Sequence, residues 1–493
     1  MFQTMYGRMV TTHDIEVHSI HYDSRKIQKG DLFVAIKGAL ADGHKFIDIA
    51  IANGAKAVVM ENDAVLPDSY FMHAGVVKIV VGDTRRALAI ISGNFFGHPA
   101  RKLKLIGVTG TNGKTTTTYL IKQLLESSSP SLRGKVGMIG TIEYMVGDER
   151  IPATHTTPES LELNQLFVRM VEKQCTHVVM EVSSHSLQQN RVHGLEFAAA
   201  AFTNLTQDHL DYHGTMERYF ASKKILFDNL PASSSAVTNA DDAWGLKIVR
   251  NTKGSILTYG IVQNSDVRAT NVSLSIDSTK FVIEHQNEKT EIHSQLVGRF
   301  NVQNILAACS VGIALGIPKT AIRSGIASLT SVPGRFERVV SAAGWSAIID
   351  YAHTPDALEK CLSTIHDVLP PNRSNKIITV FGAGGDRDKT KRPLMGKVVD
   401  TLSDVIIVTS DNPRTEDPQT IIDNVRAGIQ RKENVYTDVD RRSAITKALS
   451  MAQRGDVVLI AGKGHEDYQV IGTTKHHFSD REVISEVIAA YAR

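Results

Sequence analysis

An apolar run that closes on a glycine-rich turn and reopens as a helix constrains this chain most. Residues 104–120 read KLIGVTGTNGKTTTTYL. Leu105, Ile106 and Val108 suit a buried strand, and Gly110 and Gly113 let backbone N–H groups close on phosphate oxygens. Lys114 adds a charge that reaches β and γ phosphates, and Thr115 offers a hydroxyl to Mg²⁺. Strand, phosphate turn and helix in that order predict an α/β fold with its ligand at the carboxyl edge of a parallel sheet. The common spacing G-x-x-x-x-G-K-[ST] would require glycine where this chain has Val108, with Gly107 one residue earlier. The turn is therefore a variant, T-G-T-N-G-K-T-T. The competing reading, a surface turn that happens to contain GKT, loses weight between such a strand and such a helix.

The 493 residues around this unit are enough for about three domains, each with its own core. Residues 1–98 alternate apolar runs (DLFVAI, AKAVVM, VVKIVV) with helical patterns (IDIAIANG, TRRALAIISGNFFG), predicting a small α/β domain; GHPARK, with Pro99, then punctuates the chain. Residues 99–331 form a second α/β block whose runs VGMIGTI, THVVMEVSS and AAAAFTN end in polar residues, where a parallel sheet gathers ligands. From 250 to 297 the runs SILTYGIV, VRATNVSLSI, KFVIEH and EIHSQLV predict an antiparallel flank, followed by the helix NVQNILAACSVGIALG. After SVPGRFERV, residues 332–493 run strand and helix in turn, predicting a doubly wound, Rossmann-like sheet with the loops GGDRDK, SDNPRTEDP and GKGHEDY on one edge.

Charge and cysteine usage narrow the classes. Lys plus Arg exceeds Asp plus Glu by 55 to 52, a net charge of +3, which leaves no electrostatic footprint for coating nucleic acid. Cys175, Cys309 and Cys361 lie far apart and form neither a zinc pattern nor a disulfide framework, so a reducing cytoplasm is the expected home. The N-terminal MFQTMYGRMVTTHDIEV lacks an apolar leader core, and no segment approaches the roughly 18 apolar residues of a membrane span.

A phosphate turn needs a magnesium site, and acids and imidazoles stand where strands end. Glu181 closes HVVME and can ligate a cation that bridges phosphates, although an acid at one strand end is more often merely solvated. His209 lies in DHLDYH, where two histidines and two aspartates fall within six residues. Lys223, in YFASKKILFDNL, sits on a helix whose Tyr219, Phe220, Ile225, Leu226 and Phe227 face the core; such a lysine is expected to snorkel to solvent. TTP reads as a turn and SSH as a helix cap.

The motifs T-G-T-N-G-K-T-T, E-V-S-S-H, T-N-L-T-x-D-H-L-D-Y-H, G-R-F-N-x-x-N and P-G-R-F-E, in this order across essentially the whole chain, resemble those of the Mur ligases, which build the peptide stem of bacterial peptidoglycan. D-S-R, T-H-T-T-P, D-N-P-R and G-K-G-H-E-D-Y-Q are similar to the branch that adds the third residue. The resemblance implies a uridine-nucleotide domain, a central ATPase and a C-terminal Rossmann-like domain, acting with ATP and Mg²⁺; a monomer is the expectation, although the sequence does not reveal oligomeric state. It implies that Gly110, Thr111, Asn112, Gly113, Lys114, Thr115 and Thr116 hold ATP phosphates, that Asn304 and Arg335 contact adenine and phosphate, and that Asp350 and His353 lie near the same nucleotide. Glu181 and His209 would hold magnesium, and Lys223, rather than its neighbour Lys224, would be carbamylated by CO₂ into an anionic oxygen ligand. Ser24, the loop 42–45, Thr156, Thr157, Ser183, Gln189 and Arg191 match contacts to UDP-MurNAc-L-Ala-D-Glu, while the role of His155, in place of a smaller amide, stays open.

The C-terminal loops predict a second selective site. Arg387 and Arg414 can grip carboxylates through planar forks and Asp411 and Glu466 can receive ammonium, with Asn412, Pro413 and Gly462 in the same loops. That set suits meso-diaminopimelate, which carries two amino-acid ends; in lysine-adding relatives the D-N-P-R arginine is replaced. The implied reaction joins this amine to the γ-carboxylate of D-glutamate through an acyl phosphate. Rival readings are a lysine-adding ligase, a folylpolyglutamate-synthase-like ligase and an ATP-binding switch without catalysis.

Overall fold

The computed structural model describes residues 7–10, 14–38, 41–370 and 374–491. Residues 1–6 and 11–13 of the N-terminal segment read above therefore lie outside the described residues. Three large sheets follow one another along the chain. The first has the order Gly7–Val10, Val77–Val81, Ala57–Met60, Leu32–Val34, Ile20–His21, parallel except for its first pair.

The central sheet has eleven strands. Its middle runs parallel from Val267–Leu274 through Ser255–Gly260, Ser235–Asn239, Phe197–Phe202, Lys104–Thr109 and His177–Glu181 to Val136–Ile139. Antiparallel hairpins close both edges, Glu143–Val146 with Glu149–Pro152 on one and Thr279–His285 with Glu288–Ser294 on the other. One expectation is corrected here: SILTYGIV pairs parallel with both of its neighbours, so the antiparallel flank begins only at Val267–Leu274. The chain crosses over through the helix Gly245–Ile248 before entering that strand, which returns it in the same direction. Helices Lys114–Ser128, Arg299–Ala314 and Lys319–Ser328 cover one face, and Ser160–Glu172 and Met216–Asp228 the other, giving two apolar layers.

Register decides where chemistry gathers. Val108 pairs with Glu181 on one side and with Ala201 on the other, so three parallel strands end together and their loops emerge side by side. This also explains the missing glycine: Val108 is fully buried inside the strand Lys104–Thr109, and the turn starts only at Gly110.

The third sheet has the order Glu337–Val340, Ser346–Asp350, Val457–Ala461, Ile377–Phe381, Val405–Thr409, Val435–Asp438 and is parallel after its first pair. Helices pack on both of its faces, as the alternating pattern predicts. Two pieces were not anticipated, the edge strand Val435–Asp438 and the hairpin Tyr468–Ile471 with Thr474–His477. Behind this sheet Arg441 and Asp480, both fully buried, meet through two hydrogen bonds of 2.8 Å, and Arg441 Nη2 donates to the Ala461 carbonyl at 3.1 Å. The two buried charges are paired with each other, and the guanidinium has a backbone carbonyl as a further acceptor, as burial requires.

Candidate functional site

The phosphate turn is shaped by its neighbours as much as by its own glycines. At Gly110, with φ of 150°, a Cβ would overlap the Thr203 hydroxyl, and at Gly113, with φ of 84°, it would overlap the Asn304 amide. Asn204, on the loop after Phe197–Phe202, accepts the Thr111 N–H at 2.8 Å through its carbonyl and the Asn112 N–H at 3.0 Å through its side chain. Thr203 Oγ1 donates to the Asn112 carbonyl at 2.6 Å. Lys114 opens the helix and folds its Nζ back onto the carbonyls of Gly110 at 3.0 Å and Thr111 at 2.8 Å.

A cavity of about 280 Å³ lies over this turn. Thr111 to Thr116, Thr156, Glu181, Ser183, His209, Asn304, Arg335, Asp350 and His353 all line it, so residues scattered over some 240 positions share one wall. Glu181, 1 % exposed, accepts the Thr141 N–H and hydroxyl, each at 2.9 Å, and interacts electrostatically with Lys114. A buried carboxyl group facing phosphate-binding space offers hard oxygen donors of the kind that suit Mg²⁺. Thr115 Oγ1 accepts from Arg335 Nη2 at 3.2 Å. Among the described residues no three His, Cys, Asp or Glu side chains form a group that could hold a metal ion; Glu181, Thr115 and His209 share the wall of this cavity. Partial burial depresses the His209 imidazole below its usual pKa, with Asp208 opposing and Lys114 and Lys223 adding to the effect; the neutral ring is the ligating form.

Lys223 overturns the expectation of a solvent-seeking side chain. It is 1 % exposed, its Nζ donates to the Gly110 carbonyl at 2.7 Å, and it lies 4.6 Å from the centre of the Tyr219 ring. Burial, reinforced by Lys114, pushes its amine well below the ordinary lysine value. It stands beneath the turn and not on the cavity wall, whereas Lys224 pairs with Asp228 on the same helix.

Five of the proposed sugar-peptide contacts form a continuous strip beside Glu181. Thr156 Oγ1 lies 3.1 Å from Thr141 Oγ1, and Thr157 Oγ1 donates to the Glu181 carbonyl at 2.8 Å. Arg191 donates to the Thr157 carbonyl at 2.7 Å and to Gln189 Oε1 at 2.8 Å. Ser183 caps the helix Ser184–Gln188, accepting the Ser186 N–H at 3.1 Å, so the cap reading of SSH holds. Ser24 and the loop 42–45 lie in the first unit and line neither cavity. His44 there fixes the loop by contacting Asp42 through Nδ1 at 2.7 Å and accepting the Glu61 N–H at 3.0 Å through Nε2. Arg85 and Arg191 meet on Glu159, each at 3.0 Å, joining the first unit to the second.

A second cavity, of about 540 Å³, is lined by Arg387, Asp411, Asn412, Arg414, Gly462 and Glu466. Asp208, His209, Tyr351 and His353 line both cavities and so form their common wall. Arg414 adopts φ of 52° and donates to the Gly385 carbonyl at 2.7 Å; its backbone is held by Val470 and Gly472 of the unanticipated hairpin. Pro413 does not line the cavity; its carbonyl packs where a Cβ on Gly385 would be. Lys463, absent from the sequence reading, is buried beside Glu466 at 3.3 Å. Asp356, also absent, accepts from Asn112 Nδ2 at 2.8 Å, Thr206 Oγ1 at 3.2 Å and Lys360 Nζ at 2.8 Å. It ties the helix Pro355–Val368 to the phosphate turn. Asp356→Ala is expected to weaken ATP binding by about tenfold, the value of one charge-assisted hydrogen bond; nucleotide titration with unchanged affinity would refute this coupling.

Comparison with known proteins bears on the whole chain. Family models described as Mur ligase family, catalytic domain, Mur ligase middle domain, and Mur ligase, glutamate ligase domain match residues 16–96, 108–312 and 334–464. A UDP-N-acetylmuramoyl-L-alanyl-D-glutamate–2,6-diaminopimelate ligase of Clostridium botulinum is 47 % identical over 476 residues, covering 96 % of this chain and 95 % of that protein. The protein of the same name from Parabacteroides distasonis is 44 % identical, covering 97 % and 95 %. A solved structure of a ligase with this name is 34 % identical with a TM-score of 0.67, covering 97 % of this chain and 96 % of that one. Mycobacterium tuberculosis folylpolyglutamate synthase shares the fold, with a TM-score of 0.62 at 19 % identity over 76 % of this chain and 92 % of its own.

Proposed function

The chain belongs to the Mur ligase family, and from that premise we propose that it adds meso-diaminopimelate to UDP-MurNAc-L-Ala-D-Glu at the cost of ATP. The observation that carries this reading is the common wall of Asp208, His209, Tyr351 and His353, on either side of which lie a phosphate cradle and a cavity whose lining includes Arg387, Arg414, Asp411 and Glu466. Such an arrangement suits a carboxylate activated on one side and an amine delivered from the other. We read residues 1–98, 99–331 and 332–493 as the uridine-nucleotide, ATPase and amino-acid domains of a cytoplasmic monomer. Three free, buried cysteines fit a reducing compartment, and no helix among the described residues is long and apolar enough to cross a membrane.

In this reading the γ-carboxylate of D-glutamate attacks the γ-phosphorus of ATP. An O–P bond forms, the bond to the β-phosphate oxygen breaks, and ADP leaves. The amine then attacks the acyl carbon, a C–N bond forms, phosphate departs with its electron pair and the amine releases a proton. Lys114 and the N–H groups of Gly113 to Thr116 at the helix start would stabilise charge on the transferred group, those of Thr111 and Asn112 being taken up by Asn204. Arg335 steers the Thr115 hydroxyl and Thr141 orients Glu181. When bound, Mg²⁺ supplies charge neutralisation between phosphates and carboxylate, with Thr115, Glu181 and His209 as the residues that hold it. The lowered pKa of Lys223 favours the neutral amine, the form that adds CO₂ with loss of a proton to give a carbamate oxygen donor in place of a repelling ammonium. In the second cavity Arg414 and Arg387 pair with carboxylate, which favours diaminopimelate because lysine would leave one fork unmatched.

Incubation with ATP, UDP-MurNAc-L-Ala-D-Glu and either amine is expected to give amide, ADP and phosphate with diaminopimelate; equal or faster turnover with lysine would contradict the assignment. Lys223→Ala is expected to lose at least about a hundredfold in kcat, the scale of one removed charge-stabilising group. Activity that survives intact in this variant would remove Lys223 from the reaction.

A further inference from the structure

In the amino-acid cavity two carboxylates, Asp411 and Glu466, stand on adjacent loops, and nothing so far accounts for how they coexist. Glu466 lies behind the cavity rim with its Oε2 accepting from Asn412 Nδ2 at 2.8 Å. Lys463 Nζ lies 3.3 Å from the same oxygen and 3.2 Å from Asn412 Oδ1, and Asn412 Oδ1 also accepts the Val470 N–H at 2.9 Å. Lys463 is fully buried and does not line the cavity, so it has no route to substrate. Its side chain belongs to a closed triad, Lys463, Asn412 and Glu466, of which only the last two face the ligand. Gly462, with φ of 116°, leaves room for the Asp411 carboxylate where a Cβ would overlap it.

We propose that Lys463 is a positioning residue, whose buried side chain holds Glu466 oriented beside Asp411 so that the cavity presents a paired anionic acceptor to an ammonium group of the incoming amino acid. The inference rests on the amino-acid reading of this cavity given above.

The charge balance around Glu466 supplies the physical reason. Burial raises its carboxyl above the ordinary range, Lys463 pulls it down, Asp411 raises it again, and the Asn412 amide lowers it. Tyr351 and Tyr468 face it as neutral phenols, and Arg441 contributes a cation from behind the sheet. Removing Lys463 takes away the nearest cation and leaves burial and Asp411 acting in the same direction. Its carboxyl is then pushed further above the ordinary range, and in its protonated form the neutral acid offers an ammonium far less. Raising the pH restores the carboxylate, so the defect shrinks in alkaline solution.

The test compares wild type, Lys463→Met, Glu466→Gln and the double variant, measuring KM for diaminopimelate from pH 6.5 to 9 at saturating ATP and UDP-MurNAc-L-Ala-D-Glu. Ratios to wild type at each pH cancel the titration of the amine itself. Lys463→Met is expected to raise this KM by about tenfold or more at neutral pH, narrowing toward wild type at pH 9, with KM for ATP within about twofold. Glu466→Gln is expected to show a similar penalty without the narrowing, and the double variant to match Glu466→Gln alone. A pH-independent Lys463→Met penalty, or additive penalties in the double variant, would overturn the proposal. So would wild-type KM in Glu466→Gln, a result that stands even if Lys463→Met does not fold. Wild-type protein without diaminopimelate-dependent turnover would instead bring down the functional reading on which the proposal rests.

Discussion

Two lysine amines share one acceptor, the Gly110 carbonyl oxygen, Lys223 from beneath at 2.7 Å and Lys114 from the helix start at 3.0 Å. Two ammonium groups cannot meet there in a dry setting without several kcal/mol of repulsion. Burial lowers both amines, Lys223 the further with Lys114 adding to its shift, while Glu181 and Asp208 support the charge on Lys114 above the turn. The rest of the site depends on this division. The turn keeps a cation where phosphates arrive, and a nucleophilic amine is stored under it, with the tight backbone at Gly110 and Asn204 holding both in register.

A second constraint comes from strand register. Because Val108 pairs with Glu181 and with Ala201, the phosphate turn, the Glu181 carboxyl group and the loop with His209 leave the sheet as neighbours. The third sheet brings its carboxyl edge against them, and Asp208, His209, Tyr351 and His353 become the shared wall of both cavities. Amide formation from an acyl phosphate needs this kind of proximity, since a carboxyl activated in water would be hydrolysed before an amine reached it.

What was legible in the sequence was local or repeated. The strand, turn and helix at 104–128 declare themselves because all of their determinants lie within one short segment, and the alternating pattern after residue 332 follows from faces that must each bury an apolar stripe. Lys223 was not legible as a buried amine, because its helix reads as amphipathic and the carbonyl that receives it lies 113 positions away. Asp356 and Lys463 have the same difficulty, since their partners Asn112 and Asn412 are 244 and 51 positions distant. The parallel course of SILTYGIV escaped notice because direction is set by the crossover and leaves no mark in the strand itself. The hairpin Tyr468–His477, mostly polar and half-exposed, carries no core signal, yet its backbone holds Arg414.

Catalysis rests on a carboxylate activated as an acyl phosphate, from which the amine then displaces phosphate, and oxygen transfer tests this most directly. With both γ-carboxylate oxygens of the D-glutamyl residue labelled with ¹⁸O, a complete reaction is predicted to release phosphate carrying one ¹⁸O for every amide formed. Amide formed together with unlabelled phosphate would contradict the account.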